Sequence, residues 1–178
     1  MNYRDDVLRT ANRIPSEEQL LCSAFGLCGE SGEVADLIKK SFFHHHPFEK
    51  NNILLELGDV TWYLELACLS LNIELPKKEP TLENFKVDQN ILMRLSLKLC
   101  RKAGWFADHI SDHKFDGKGL DYAELTKRLE DIQSCLSYFA IALSTSLDEI
   151  KEKNIEKLKL RYPEGFSSES SINRNNSK

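Results

Sequence analysis

Slid along itself by about 72 residues, the chain meets its own pattern. "LCGESGEVADLI" falls on "LCRKAGWFADHI", and with no gap "FFHHHPFEKNNILLELGDV" falls on "KFDGKGLDYAELTKRLEDI". Leu27, Cys28, Gly32, Ala35, Asp36 and Ile38 meet Leu99, Cys100, Gly104, Ala107, Asp108 and Ile110. Further on, Phe43, Leu57, Asp59, Leu64, Leu71 and Leu75 meet Phe115, Leu129, Asp131, Leu136, Leu143 and Leu147. The matches keep helix-face spacing and the loop between the helices is equal in length. The pattern predicts two helical hairpins packed as a pseudo-twofold pair, a fused dimer in one chain.

Helical periodicity dominates the rest, and no segment reads as a strand, so the expected class is all-α. Val7, Leu8 and Ala11 predict a short first helix that ends near Pro15. Ser16 with Gln19 three residues on has the pattern of a capping box, opening a helix to about Lys40. Further helices are expected over about Asn52–Leu71, Leu82–Ile110 and Tyr122–Thr145, with a last one ending before Pro163. The expected organisation is one domain over 1–166. It comprises a first hairpin (16–75), a second (82–147) and a basic segment (150–166), followed by a polar, mobile tail (167–178).

At 178 residues the chain is long enough for a real core, and at 41% hydrophobic and 29% charged its make-up is that of a globular protein. A net charge of −4 advertises no broad basic surface, so no nucleic-acid partner is expected, although a local basic site stays open. The apolar runs fall short of the roughly 20 residues that span a bilayer, so no membrane partner is expected. "MNYRDDVLRTANR" has no apolar signal-peptide core. Cys22, Cys28, Cys68, Cys100 and Cys135 are odd in number, lie among apolar neighbours and form no C-x-x-C pair. They read as small core residues in a reducing, cytoplasmic setting.

The first hairpin carries the chemistry. Glu30 and Glu33 are three apart on one helix, Glu56 and Asp59 three apart on the next. That spacing puts each pair on one helix face, and a short loop makes the helices antiparallel, so the two pairs face one another. At an effective dielectric of 20 and about 6 Å, each like-charge contact costs on the order of 3 kcal/mol. Protons or cations must neutralise such a cluster. Oxygen ligands without His or Cys suit Mg²⁺ or Mn²⁺, and carboxylate-bound Mg²⁺ keeps positions for water and phosphate oxygens. The E-x-x-H repeats of di-iron bundles are absent. Solvated helix faces are the bland reading of one E-x-x-E. Two such pairs a hairpin apart, each beside glycine ("GESGE", "ELGD"), favour a metal site for phosphate-ester chemistry. Gly26, Gly29 and Gly32 each cost roughly 1 kcal/mol against alanine, which calls for either a close contact that a side chain would block or a break in the helix.

"GLCGESGEVADLIKK…ELGDVTWYL…NIEKLKLRYPEGFSSESSINR" resembles the MazG-like nucleoside triphosphate pyrophosphohydrolases of the all-α NTP pyrophosphatase superfamily, which includes dimeric dUTPases and dCTP pyrophosphatases. The likeness covers about residues 20–75 and 150–174; the middle departs from single-hairpin members. It implies Mg²⁺-dependent hydrolysis of a (deoxy)nucleoside triphosphate at the α–β bond, giving a monophosphate and pyrophosphate, with Glu30, Glu33, Glu56 and Asp59 as metal ligands. It also implies nucleotide-pool housecleaning or control, and a homo-oligomer, since many relatives pair.

The halves have diverged. Lys102, Trp105 and Arg128 stand where Glu30, Glu33 and Glu56 do in the first, and only Asp131 keeps its acid. The family-like tail with Asn154, Lys157 and Arg161 follows the second hairpin only; the first is followed by Leu82, Phe85 and Gln89 at those positions. One composite site is therefore expected, with metal ligands from the first half and phosphate contacts from Asn154, Lys157 and Arg161. As bases at a helix C-terminus, Lys157 and Arg161 also have an ordinary structural reading. Lys39 and Lys40 are further phosphate candidates, and Tyr63 is a candidate flank for base or sugar. Trp62 reads as core, Trp105 and Phe106 as filling vacated by the lost carboxylates, and His44, His45 and His46 as a solvated loop. Rival readings of the whole are a non-catalytic nucleotide sensor and a helical protein-interaction module.

Overall fold

The computed structural model describes residues 2–76, 80 and 90–172. Among them are seven helices and no strand: α1 (Tyr3–Thr10), α2 (Ser16–Phe43), α3 (Lys50–Leu71), α4 (Ile91–Asp116), α5 (Tyr122–Ala142), α6 (Leu147–Arg161) and α7 (Ser168–Ile172). The expected all-α class is what the chain adopts. No helix among the described residues is long and apolar enough to cross a membrane. Leu82, Phe85 and Gln89, and the expected helix start at Leu82, lie outside the described residues.

The boundaries differ from expectation where local chemistry was misread. Ser16 is the first helical residue of α2 rather than its cap; Pro15 holds the cap position with no side-chain bond. The Gln19 amide donates to the Asn12 carbonyl at 3.1 Å, tying the α1–α2 loop down instead of closing a capping box. α2 and α4 run one to two turns further than periodicity suggested, through Phe43 and Asp116. α4 stops at Gly117, whose φ of 70° is the left-handed cap conformation. Part of the expected mobile tail forms α7.

α2 and α3 form one hairpin across residues 44–49, and α4 and α5 another across 117–121. α2 also packs along α4. Cys100 Sγ lies 3.3 Å from the Ser31 carbonyl and Lys114 Nζ 3.9 Å from Glu17, so these two helices are antiparallel. Leu27, Val34, Leu57, Leu99, Phe106, Leu129 and Phe139 are fully buried in the shared core. α1 docks separately, with Val7 and Ala11 against Leu66 and Trp62 of α3. α6 closes over α3, and the chain after it returns to α1: Arg9 donates to the Tyr162 carbonyl at 2.7 Å.

Several core assignments need correction. Cys68 and Cys135 are buried, and burial pushes each thiol up to about 12. Cys22 and Cys28, however, are exposed on α2, and Cys100 is half-buried. Phe106 fills the core as expected. Trp105 does not: it is 42% exposed, with the guanidinium carbons of Arg101 and Arg128 at 4.7 and 4.8 Å from its ring. Trp62 is half-buried rather than core, and its indole nitrogen donates to Thr10 Oγ1 at 2.9 Å.

Candidate functional site

On α2, Glu30 and Glu33 turn one face toward α3, which returns Glu56. One ligand oxygen from each of the three lies within 4.8 Å of the others. Leu27, Val34, Leu57 and Val60 bury the flanks of this face, so Glu30 and Glu56 are half-buried at the edge of the core while Glu33 is exposed. Burial first, then the charges of Asp59, Glu33 and Glu56, push Glu30 up to about 7.

Asp59 does not join that trio. The expected four-carboxylate cluster is three carboxylates and a neighbour engaged from α6. The Asn154 amide donates to Asp59 Oδ1 at 2.7 Å, and the Lys157 ammonium pairs with Oδ2. Asn154 is itself fully buried, and its Oδ1 accepts from the Tyr3 hydroxyl at 3.3 Å. Two glycines permit the packing. A Cβ on Gly58 would stand 2.9 Å from the Asn154 Cβ, and one on Gly26 would enter the Tyr63 ring at 2.2 Å. Gly29 and Gly32 face open space, so close helix approach explains Gly26 but neither of these.

These groups line one pocket of about 360 Å³. Its acidic end holds Glu30, Glu33, Glu56 and Asp59, with Lys157 and Arg161 on the wall from α6. Its other walls are aromatic: Trp62, Tyr63, Tyr162 and Phe166. The Tyr63 ring meets Trp62 edge-on at 4.9 Å. The structure thus brings Glu30, Glu33, Glu56, Asp59, Tyr63, Lys157 and Arg161 to a single cavity, with Asn154 directly behind Asp59. Lys39 and Lys40 are not there. Both pair with Asp36, Lys40 at 2.6 Å, and they hold its carboxyl down to about 2. His44, His45 and His46 are exposed beyond the end of α2.

Sequence reasoning missed the wall built by the N-terminus. Thr10, Asn12, Ile14, Gln19 and Cys22 line the pocket, as does Ser171 from α7. Only the fold brings these ends together, and the polarity of Gln19, read in sequence as part of a capping box, is spent on the Asn12 carbonyl instead. The second hairpin has closed its corresponding position with internal ion pairs. Lys102 meets Asp131 at 2.9 Å and Arg128 meets Glu124 at 2.5 Å. No family model, no curated protein and no solved structure matches this chain.

Proposed function

We propose that the chain is a Mg²⁺-dependent nucleoside triphosphate pyrophosphohydrolase of the MazG-like type, cleaving the α–β bond to give a monophosphate and pyrophosphate. The observation that carries this reading is the meeting of Glu30, Glu33 and Glu56 within 4.8 Å at one end of an aromatic-walled pocket that also holds Lys157 and Arg161. Three carboxylates this close have no counter-charge among themselves; burial first, and then the neighbouring carboxylates, lead Glu30 to hold its proton to about 7. An all-oxygen donor set of this kind fits a hard divalent cation. Glu30, Glu33 and Glu56 would hold Mg²⁺, with Asp59 at the edge of the set. Bound there, the ion would neutralise phosphate charge and lower the pKa of a coordinated water.

The protein's own groups do the rest. Lys157 and Arg161 supply positive charge to the phosphate chain, Arg161 with the planar fork suited to phosphate oxygens. Lys157 is held by Asp59 and is freed to turn to phosphate when that carboxylate is otherwise satisfied. The rings of Trp62 and Tyr63 offer flat apolar surface to a base or sugar. A carboxylate of the trio in hydrogen-bond reach of the attacking water takes its proton; Glu33 and Glu56 are the two candidates.

The antiparallel register of α2 on α4 supports the finer reading of the fold as two pseudo-twofold hairpins. The Ser31–Cys100 and Glu17–Lys114 contacts share one register, in which residues 29–30 lie level with 101–102. The sequence repeat maps that crossing point onto itself. The ion pair of Lys102 with Asp131 supports one working site per chain rather than two. A coupled pyrophosphate-release assay across ribo- and deoxyribonucleoside triphosphates, with and without Mg²⁺, tests the activity. Product with at least one nucleotide, abolished by chelation, is expected. Nucleotide-dependent thermal stabilisation without product would make the protein a sensor instead.

A further inference from the structure

α1 packs on α3 through a small apolar cluster of its own, Val7 and Ala11 against Leu66. Its polar side chains reach further. Thr10 Oγ1 accepts from the Trp62 indole at 2.9 Å, the Tyr3 hydroxyl donates to Asn154 Oδ1 at 3.3 Å, and Arg9 Nη1 donates to the Tyr162 carbonyl at 2.7 Å. Trp62 and Tyr162 line the pocket, and Asn154 stands directly behind Asp59. Two of these contacts serve opposite ends of the pocket. Tyr3 reaches the acidic end through Asn154, and Arg9 reaches the aromatic end through the chain after α6.

At the acidic end the chemistry of Asn154 fixes its direction. A carboxylate only accepts, so the amide nitrogen must face Asp59 and the amide oxygen must face away. The Tyr3 hydroxyl meets that oxygen, and because Asn154 is fully buried bulk water cannot take the hydroxyl's place. With Asn154 so held, one oxygen of Asp59 is occupied and Lys157 has the other. Without that hold both oxygens turn to Lys157, the ion pair tightens, and the cation is withdrawn from a phosphate chain.

At the aromatic end Arg9 holds residues 162–166 from two sides. Its guanidinium takes the Tyr162 carbonyl, and its own carbonyl accepts from the Phe166 amide at 3.2 Å. Gly165 permits the second contact: its φ of 97° suits glycine, and a Cβ there would stand 3.1 Å from the Arg9 carbonyl. Arg9 Nη2 is buried without a partner among the described residues, so the guanidinium serves this segment and no acid. The Tyr162 and Phe166 rings are thereby set 5.5 Å apart on the pocket wall.

We propose that Tyr3 and Arg9 are positioning residues, through which α1 sets the phosphate end and the nucleoside end of the pocket separately. What fills the pocket rests on the pyrophosphohydrolase reading. Neither side chain is placed against the substrate. Tyr3 acts through Asn154, Asp59 and Lys157, and so on affinity for any triphosphate. Arg9 acts through Tyr162 and Phe166, and so on affinity for the nucleoside.

The test compares two probes: a nucleoside triphosphate substrate, and inorganic tripolyphosphate as an inhibitor that carries the charged half alone. Tyr3→Phe keeps the ring and removes one hydroxyl. It should raise KM for the nucleotide and Ki for tripolyphosphate together, by about fivefold, with kcat within about twofold of native. In a Lys157→Ala chain the same change should move either constant by less than about 1.5-fold. Arg9→Lys and Gly165→Ala should each raise KM about fivefold and leave Ki for tripolyphosphate within about twofold. A Tyr3→Phe effect that is equally large in the Lys157→Ala chain overturns the role of Tyr3, since a merely structural loss would be additive. Arg9→Lys moving both probes alike, or neither, overturns the role of Arg9. Hydrogen exchange followed by NMR reads both contacts without turnover. Tyr3→Phe should speed exchange of the Asn154 side-chain amide, and Arg9→Lys that of the Phe166 backbone amide, each at least about tenfold. A chain that shows both exchange effects and hydrolyses no nucleotide would contradict the pyrophosphohydrolase reading and support the positioning contacts; exchange equal to native in the variants would overturn them.

Discussion

The Asn154 side chain on α6 donates to Oδ1 of Asp59 on α3 at 2.7 Å. Lys157, one turn on, takes the other oxygen of the same carboxylate. α6 thus grips one of the four acidic residues expected in the metal cluster. The grip joins the tail of the chain to the first hairpin, and it brings the Lys157 cation to the pocket's edge.

Asn154→Ala removes a hydrogen bond to a charged group and leaves the Tyr3 hydroxyl short of an acceptor. A hydrogen bond to a charged group contributes about 1.5–3 kcal/mol, so a stability loss in that range is expected in urea unfolding. A loss below about 0.5 kcal/mol would mean that water replaces the contact without cost and that α6 is held by packing alone.

Gly26→Ala drives a methyl group into the Tyr63 ring. Overpacking of this kind costs about 1–3 kcal/mol, and the displaced ring should also raise KM for the nucleotide. Gly29→Ala meets open space, so in the monomer it should gain up to about 1 kcal/mol from helix propensity. Thermal melts of the two variants at low protein concentration should therefore move in opposite directions.

Glu30 titrates at about 7 in the fold against an ordinary 4.5. Below pH 4.5 both folded and unfolded chains hold this proton. Between 4.5 and 7 the unfolded chain gives it up while the folded one keeps it, so this group's contribution falls as pH rises through that window. With the site partly open to solvent, the loss is about 1–2 kcal/mol. Glu30→Gln should flatten this part of the stability profile and leave the metal-free protein more stable than native at pH 8. Mg²⁺ should stabilise the native protein more at pH 8 than at pH 6, because the proton must leave before an ion enters. A Glu30→Gln profile parallel to native would contradict the assignment.

Much of this was legible in the sequence because it is local. Helix-face spacing fixed that Glu30 and Glu33 share a face and that Glu56 returns opposite them. The repeat predicted a second pair of helices, and α4 packs against α5 in that part of the chain. What escaped reading depends on distant contacts. Asp59 is bonded by Asn154 and Lys157 from the far end of the chain, and the helix motif holds no trace of those contacts. Trp62 reads as core by periodicity, yet α1 supplies Thr10 as a polar partner and leaves the ring at the pocket. Lys39 and Lys40 lie on the site's own helix, but Asp36, closer along the turn, captures both. Cys22 and Cys28 have apolar neighbours in sequence yet are exposed on α2, Cys22 at the pocket wall, because neighbourhood along the chain does not decide burial.

Lys157→Ala and Arg161→Ala together remove the pocket's positive wall. A charged hydrogen bond to phosphate contributes about 1.5–3 kcal/mol, so KM for a triphosphate substrate should rise at least about tenfold, with helical content unchanged. Divalent-ion binding should persist, since Glu30, Glu33 and Glu56 remain. Native turnover and KM in this variant would rule out the composite site.

The central claim is that Glu30, Glu33 and Glu56 converge on a divalent cation. Titration of the metal-free chain with Mn²⁺, followed by electron paramagnetic resonance of the free ion, tests it most directly. The account predicts saturable Mn²⁺ binding at pH 8, competed by Mg²⁺ and weakened at least about tenfold by Glu56→Gln. No saturable binding, or binding that Glu56→Gln leaves unchanged, would contradict it.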